Sequence, residues 1–288
     1  MDKVSIEDIK WWLVQLDSFE KTGSGNAPGF WKPFHFTTLA IEAKRAGKNL
    51  ILPQERENYA ARMGLWEAIG MQPPVKVNKN PACGRFVEAR SVQHDVEVHP
   101  LSIEISEMFR GCVQNQSTLD SIQVLMSELL GNCCAHSSTD GVFGLVCGQS
   151  WPGGNLSQIC IADCGMGIRN SLLGNEGLRD RLTQNNACQV ATEYGVTGKP
   201  YGSHSGYGLT LANDLIKINS GCLIVVSGNE CYINRDGVSE SVTLDHAWSG
   251  TCVILEWNID QPLDVELVYN SWPKPDSMDG EEYDELFT

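Results

Sequence analysis

The chain has 288 residues, of which 42% are apolar, which is enough for one large domain or two ordinary ones with a hydrophobic core. Its net charge of −15 is uneven, because residues 96–288 carry 25 acidic and 8 basic residues. This acidic part argues against a nucleic-acid surface. The charged N-terminus and the absence of a bilayer-length apolar run lead us to expect no secretory signal, no membrane span and a cytoplasmic location.

The 11 cysteines indicate reduced, mostly buried thiols. Their number is odd, no two form a CxxC pair, and several fall within apolar runs typical of strands. Zinc sites and disulfide frameworks use regular cysteine spacings that are missing here.

The first 80 residues predict helices joined by one short strand. Apolar residues at helical spacing indicate a helix from Ile6 to Leu16, and a second helix over 34–46 ends at Gly47. Residues 49–52 predict a buried strand stopped by Pro53, and residues 55–69 predict a third helix. In element order this small N-terminal α/β module resembles the STAS-type domains that accompany some bacterial regulatory ATPases. The alternative is an N-terminal extension packed on the main domain.

A proline-rich stretch over residues 72–82 predicts a linker to a second domain at 84–260. The elements expected there are strand 84–92, helices 101–113 and 118–136, strands 141–148 and 156–163, helix 207–219, strand 222–228, a hairpin at 235–237 and strand 251–257. Residues 170–205 are polar and glycine-rich, and a loop of that length is typical of a lid. The acidic residues 261–288 predict a flexible tail.

Within helix 118–136, polar residues follow the stripe next to the apolar one. Glu128, Asn132 and His136 recur every four residues, so they share one side of the helix. A carboxylate and a carboxamide beside a core-facing stripe are costly to bury without a function. The ordinary alternatives are a solvated glutamate and a hydrogen-bonded histidine at the helix end.

Three glycine-containing segments follow this helix. Asp163 to Gly167 (DCGMG) comes directly after an apolar strand, where glycines allow close approach of the backbone to a ligand. Gly206 to Leu209 (GYGL) opens a helix, whose N-terminal N–H groups suit phosphate. Gly250-Thr251 begins the last strand. Each segment alone is weak evidence for a ligand site, since ordinary turns and strands also contain these residues.

Taken in order, these motifs resemble those of the GHKL superfamily, which includes gyrase, heat-shock chaperone, histidine-kinase and MutL ATPases. The resemblance covers about residues 96–260 and implies a Bergerat-type α/β sandwich, with a mixed, mostly antiparallel sheet and helices on one face. It implies ATP and Mg²⁺ as cofactors and ATP or ADP as ligands. Residues 1–80 and the tail lie outside it.

For the base of the nucleotide, the resemblance implies that Asp163 accepts a hydrogen bond from the adenine amino group. The backbone at Gly165 and Gly167 would pass close to the base. Thr251 would hydrogen-bond near the adenine, directly or through water.

For the phosphates, the resemblance implies that Asn132 ligates Mg²⁺ through its amide oxygen. The segment formed by Gly206, Tyr207, Gly208 and Leu209 would hold the β- and γ-phosphates by its backbone N–H groups. Lys199 and His204 in the lid are candidates to reach the γ-phosphate, with solvated charges as the alternative. Arg169 is a weaker candidate of the same kind.

Glu128 is implied as the general base that activates a water or a protein hydroxyl. The sequence lacks the long hairpin of a sensor histidine kinase, and only about 30 residues follow Trp257, too few for the transducer domain of clamp-type ATPases. The expected function is a slow ATPase or a serine/threonine kinase in a regulatory system, resembling anti-sigma-factor kinases. The alternative is a non-catalytic, ATP-responsive switch that sequesters a protein partner. A homodimer is compatible with both.

Overall fold

The computed structural model of the chain describes residues 3–47, 49–77, 84–136, 144–198 and 206–273. In chain order its α-helices are α1 (Ile6–Thr22), α2 (Pro33–Ala46), α3 (Gln54–Arg62), α4 (Asp95–Phe109), α5 (Gln116–His136), α6 (Ile168–Leu172), α7 (Arg179–Gln184), α8 (Ala187–Val190), α9 (Gly208–Asn219) and α10 (Val265–Ser271). The strands are β1 (Phe86–Val92), β2 (Gly144–Trp151), β3 (Leu156–Asp163), β4 (Cys222–Arg235) and β5 (Val238–Asn258). The fold is α/β. None of the described helices is both long and apolar enough to cross a membrane.

The five strands form one antiparallel sheet in the order β1-β2-β3-β5-β4, with β3 at its centre. Gly144 of β2 lies opposite Asp163 at the end of β3. On the other side of β3, Ala162 lies opposite Cys252 of β5. All residues of β3 are buried, as expected of a continuous apolar run at the centre of a sheet. The end of β3 therefore lies beside the part of β5 that contains Thr251.

Helices cover both faces of the sheet. Alternate residues of a strand point to opposite faces, and on β3 Ile159 and Ile161 pack with α4, α5 and α9. Cys160 and Ala162 belong instead to the core that contains α1 and α2. The prediction of helices on one face is therefore wrong. The sequence indicated that α1 and α2 have apolar faces, but it did not indicate that these faces pack against the second face of the sheet.

Helix α2 lies between the sheet and the other N-terminal helices. Its residues from Pro33 to Ala43 are all buried, as in a helix surrounded by protein. The Thr37 hydroxyl lies 3.0 Å from Sγ of Cys160 in β3. On another side, Nε1 of Trp12 in α1 donates to the Thr38 hydroxyl at 2.8 Å. The N-terminal segment and one sheet face thus share a single core.

The strand predicted at residues 49–52 is wrong. Residues 49–53 form an irregular connection, and the described residues before β1 contain helices and no strand. Leu50 and Leu52 are buried, but Ile51 is 63% exposed. Gly47 ends α2 in the left-handed conformation with φ of 61°, and Pro53 is the N-cap of α3. The apolar residues therefore anchor a link between two helices.

The stretch predicted as a long polar loop is largely helical in its described part. It contains α6, α7, α8 and a 3₁₀ turn at Glu176–Leu178, and Leu182 and Cys188 are buried. Arg169 anchors it, with Nε and Nη2 donating to the Glu230 carboxylate and Nη1 donating to the Leu182 carbonyl. Arg169 therefore links this stretch to β4. Residues 199–205 of this stretch lie outside the described residues.

The first part of the acidic tail, which was predicted to be flexible, forms a helix. Residues 265–271 form α10, whose N-cap Asp264 accepts a hydrogen bond from the Leu267 N–H at 2.9 Å. Val265 and Val268 are buried, so apolar positions among the acidic residues help to attach the helix. Residues 274–288 lie outside the described residues.

Replacement of Phe36 by alanine should destabilise the whole domain. Phe36 is fully buried in α2 and stacks on Trp31 with ring centroids 5.0 Å apart. We expect a loss of about 3–5 kcal/mol in the free energy of unfolding, measured by urea denaturation. Phe30→Ala is the matched control, because Phe30 is 47% exposed, and it should cost less than about 1 kcal/mol. Equal effects of the two variants would contradict the shared core.

Candidate functional site

Helix α5 presents Glu128 and Asn132 at its contact with α9. The apolar side of α5, including Leu129 and Cys133, is buried in the core, and both polar residues are partly buried beside it. Gly208, the first residue of α9, packs against them. A Cβ at Gly208 would lie 2.9 Å from Nδ2 of Asn132 and 3.3 Å from Cβ of Glu128. The absence of a side chain at Gly208 lets the start of α9 approach both predicted site residues.

Asp163 is a buried carboxylate at the end of β3. Its Oδ1 accepts hydrogen bonds from the Gly165 N–H at 2.8 Å and from the Thr251 N–H at 3.2 Å. Burial raises the pKa of Asp163 from its ordinary value of 3.8 to about 6, and the hydrogen bonds from Gly165 and Thr251 only partly oppose this. The side chain is therefore costly to bury in the charged form.

Two glycines are required where the strands approach Asp163. Gly250 has φ of 117°, and a Cβ there would lie 2.1 Å from the Asp163 carbonyl oxygen. Gly167 has φ of 79°, and its Cβ would lie 2.8 Å from Oγ of Ser227. The Ser227 hydroxyl donates to the Gly250 carbonyl at 2.7 Å and accepts from the Ile168 N–H at 2.8 Å. Ser227 thus joins the two glycine turns.

A cavity of about 110 Å³ lies between the sheet, α5 and α9. Its polar side chains include Asp163, Thr251 and Asn132, placed among apolar walls. The apolar wall residues are Leu129, Ile161, Ile168, Leu172, Leu209 and Val253. We define the cover segment as residues 191–198, whose Ala191, Val196, Thr197 and Gly198 also line the cavity. The site is therefore an apolar slot with a few polar groups, the usual composition of a small-molecule site.

Half of the predicted site residues line this cavity. They are Asn132, Asp163, Gly167, Gly206, Leu209 and Thr251. Four others lie directly beside it in sequence or contact: Glu128, Gly165, Tyr207 and Gly208. Lys199 and His204 lie outside the described residues, as does the side chain of His136. The motifs from α5, β3, α9 and β5 are thus brought together, although they are far apart in sequence.

Sequence reasoning missed the residues that close the cavity. A Cβ at Gly198 would lie 2.2 Å from the Ser171 carbonyl, and a Cβ at Gly206 would lie 2.8 Å from the Val196 carbonyl. Ser171 follows the first glycine motif by only four residues, so its position near the site could have been inferred from the sequence. The sequence contained no indication of the role of Ser227, because this residue ends an ordinary apolar stretch typical of a strand.

The residues present fit an adenine nucleotide with Mg²⁺ in chemical terms. A flat heterocycle suits apolar walls, and the acceptor oxygens of Asp163 suit an amino-group donor. The described residues contain no group of three His, Cys, Asp or Glu side chains that could hold a metal. A divalent ion beside Asn132 would therefore take most of its ligands from phosphate and water, as Mg²⁺ commonly does.

The size of the cavity sets a further condition. Its volume of about 110 Å³ is below the range of about 300–1,000 Å³ typical of small-molecule sites. Movement of one wall would enlarge the space for a nucleotide. The cover segment belongs neither to the sheet nor to a long helix, and neither do the lining residues of the short helix α6.

Comparison of the chain with protein-family models and with curated proteins gave no match. The assignment of the site therefore depends on its residues and their geometry.

Replacement of Asp163 by asparagine should change how stability depends on pH. The folded-state pKa of about 6 is above the ordinary 3.8, so Asp163 contributes stability below about pH 4 that is lost as the pH rises through 6. Asparagine cannot ionise. Between pH 4 and 8, the free energy of unfolding of Asp163→Asn should therefore rise relative to wild type by about 2–3 kcal/mol. Urea denaturation at both pH values measures this, and a constant difference would contradict the buried, charged carboxylate.

Proposed function

We propose that this chain is a GHKL-type protein that binds an adenine nucleotide with Mg²⁺ in the cavity, within a Bergerat-type arrangement. One observation carries the proposal: a buried carboxylate, a helix carboxamide and a glycine-initiated helix meet at one apolar slot. These are the groups needed at the two ends of a nucleotide, and they come from three separate elements, β3, α5 and α9. We further propose a cytoplasmic location and a protein partner.

At the closed end of the slot, Asp163 would orient the base. One of its oxygens already accepts two backbone N–H groups, which holds the carboxylate in place to accept an adenine amino group. Thr251 lies beside it and would add a hydrogen bond. The backbone at Gly165 and Gly167 would pass the base closely, and the apolar walls would exclude water from it.

At the other end, the start of α9 would hold the phosphates. The first N–H groups of a helix have no partner within the helix, and the positive end of the helix dipole favours an anion. Gly206, Tyr207, Gly208 and Leu209 form this start. When bound, Mg²⁺ supplies charge neutralisation for the phosphates, and Asn132 would hold it by its amide oxygen.

Glu128 lies one helical turn before Asn132 and contacts the same glycine of α9. This position suits a general base that takes a proton from a water or a protein hydroxyl. The reaction would then be slow ATP hydrolysis or phosphoryl transfer to serine or threonine. The alternative is a binding switch, in which nucleotide changes the conformation and so sequesters or releases the partner without turnover. Lys199 and His204 remain candidates for the γ-phosphate.

The wild-type chain should bind ATP and ADP, with higher affinity in the presence of Mg²⁺. Gly208→Ala should weaken Mg²⁺-dependent binding at least about tenfold, because the added Cβ displaces the Asn132 amide that lies 2.9 Å away. Isothermal titration calorimetry of ATP and ADP, each with and without Mg²⁺, measures both effects.

Gly131→Ala is the matched control for this variant. Gly131 lies on α5 beside Asn132, and a Cβ there meets nothing within 4 Å. Its substitution should leave the affinity within about twofold and stabilise the helix slightly. Absence of nucleotide binding by the wild-type chain, or equal effects of the two alanines, would argue against the proposed site.

Glu128→Gln should separate the enzyme from the switch. The amide keeps the size of the side chain but cannot accept the proton, so phosphate release or transfer should fall about 100-fold or more while nucleotide affinity stays unchanged. Steady-state phosphate release and calorimetry measure the two quantities. Full biological activity of this variant would support the switch instead.

A further inference from the structure

Helix α10 packs across the two helices that form the candidate site. The Val265 N–H donates to Oγ of Ser121 in α5 at 3.1 Å. Near the other end, Nε1 of Trp272 donates to Oδ2 of Asp214 in α9 at 3.0 Å. Val265 and Val268 are buried between these contacts. The C-terminal helix therefore bridges the helix that contains Glu128 and Asn132 and the helix that begins at Gly208.

Trp272 is the centre of an aromatic cluster that we define as Tyr194, Tyr207, Tyr269 and Trp272. The ring centroid of Trp272 lies 5.2 Å from that of Tyr194, 5.2 Å from that of Tyr207 and 5.1 Å from that of Tyr269. Tyr194 and Tyr207 also stack on each other at 5.0 Å. Each such ring pair adds to the stability of a docked segment, beyond the contribution of the apolar area that it buries.

The cluster connects α10 to both sides of the cavity. Tyr194 belongs to the cover segment, whose Val196, Thr197 and Gly198 line the cavity. Tyr207 is the N-cap of α9, next to the proposed phosphate position. The Tyr194 hydroxyl also donates to the Pro273 carbonyl at 3.4 Å. One tryptophan thus ties the cover segment to the start of α9.

The same helix lies near the proposed base. Tyr269, one turn before Trp272, has a raised pKa because burial and the negative charge of Glu128 both disfavour its phenolate form. The α10 helix is therefore close to the cover segment, the phosphate end and Glu128 at the same time.

We propose that α10 is a strap, with Trp272 as its latch, that holds the cover segment closed over the cavity and thereby regulates access to it. The nucleotide part of this proposal depends on the proposed function, whereas the mechanical part does not. Movement of the cover would enlarge the small cavity, and the Trp272 ring joins the cover to a helix outside the site. Release of α10 would remove the Trp272 ring from Tyr194 and loosen the cover.

Hydrogen exchange of the full chain without nucleotide tests the mechanical part. In Trp272→Ala, exchange of the cover segment and of α10 should speed up about three- to tenfold, because the ring contacts that close both are lost. Leu267→Ala is the matched control, since Leu267 lies on α10 but is 53% exposed, and it should leave cover exchange unchanged. Faster exchange in α10 with an unchanged cover would overturn the proposal, as would no change in either.

Tyr194→Ala provides the reciprocal test if Trp272→Ala fails to fold. Tyr194 is 40% exposed, so its loss should leave the fold intact. Coupling between two sites acts in both directions, and this variant should therefore speed up exchange in α10. Unchanged exchange at residues 265–271 would overturn the strap.

Stopped-flow binding of a fluorescent ATP analogue with Mg²⁺ tests the nucleotide part. In Trp272→Ala both the association and the dissociation rate constants should rise about threefold, because the cover opens more often. Unchanged rate constants would overturn the regulatory role. If the wild-type chain binds no nucleotide, the proposed function fails by itself, and the exchange results still decide whether α10 holds the cover.

Discussion

The carboxylate of Asp163 is the interaction on which the closed end of the site depends. It accepts N–H groups from Gly165 in its own turn and from Thr251 in the neighbouring strand, so it holds the turn after β3 against β5. Gly250 makes this approach possible, because any side chain there would collide with the Asp163 carbonyl. The arrangement has an electrostatic cost, visible in the raised pKa of Asp163. A ligand that donates a hydrogen bond to the carboxylate would offset that cost, which is a physical reason for a buried acid here.

Much of the site was predictable, because its residues lie in elements with strong local signals. Helix α5 and strand β3 have clear apolar periods, and the glycines near Asp163 and Gly208 stand at the ends of such elements. The coverage of the second sheet face by α1 and α2 was not predictable, since it depends on tertiary packing alone. The first half of β5 was missed because it alternates exposed and partly buried residues and is held by pairing with β4. Helix α10 was hidden within an acidic composition.

Because helices cover both faces of the sheet, the site residues on the central strands are held in place, whereas the cover segment is able to move. Asp163 and Thr251 belong to central strands with a core on either side, and their positions are as stable as the domain itself. The cover segment lies outside the sheet, and its contacts include the Arg181–Glu193 ion pair and the Thr197 carbonyl accepting from Nδ2 of Asn175 at 3.0 Å. Regions that open for ligands are drawn from the less stable parts of a fold. The end of the cavity at Asp163 is thus preorganised, whereas the cover is the wall able to move.

The proposed strap bears on whether the protein acts as an enzyme or as a binding switch. Helix α10 has seven residues, too few to be stable in isolation, so its docking depends on Val265, Val268 and the aromatic contacts of Trp272. A small change in those contacts would shift the docked population substantially. Its neighbours include the cover segment and, through Tyr269, the region of Glu128. If the proposed function holds, a partner that binds the C-terminal segment would act on nucleotide access and on the proposed base together, whether the output is turnover or a change of conformation.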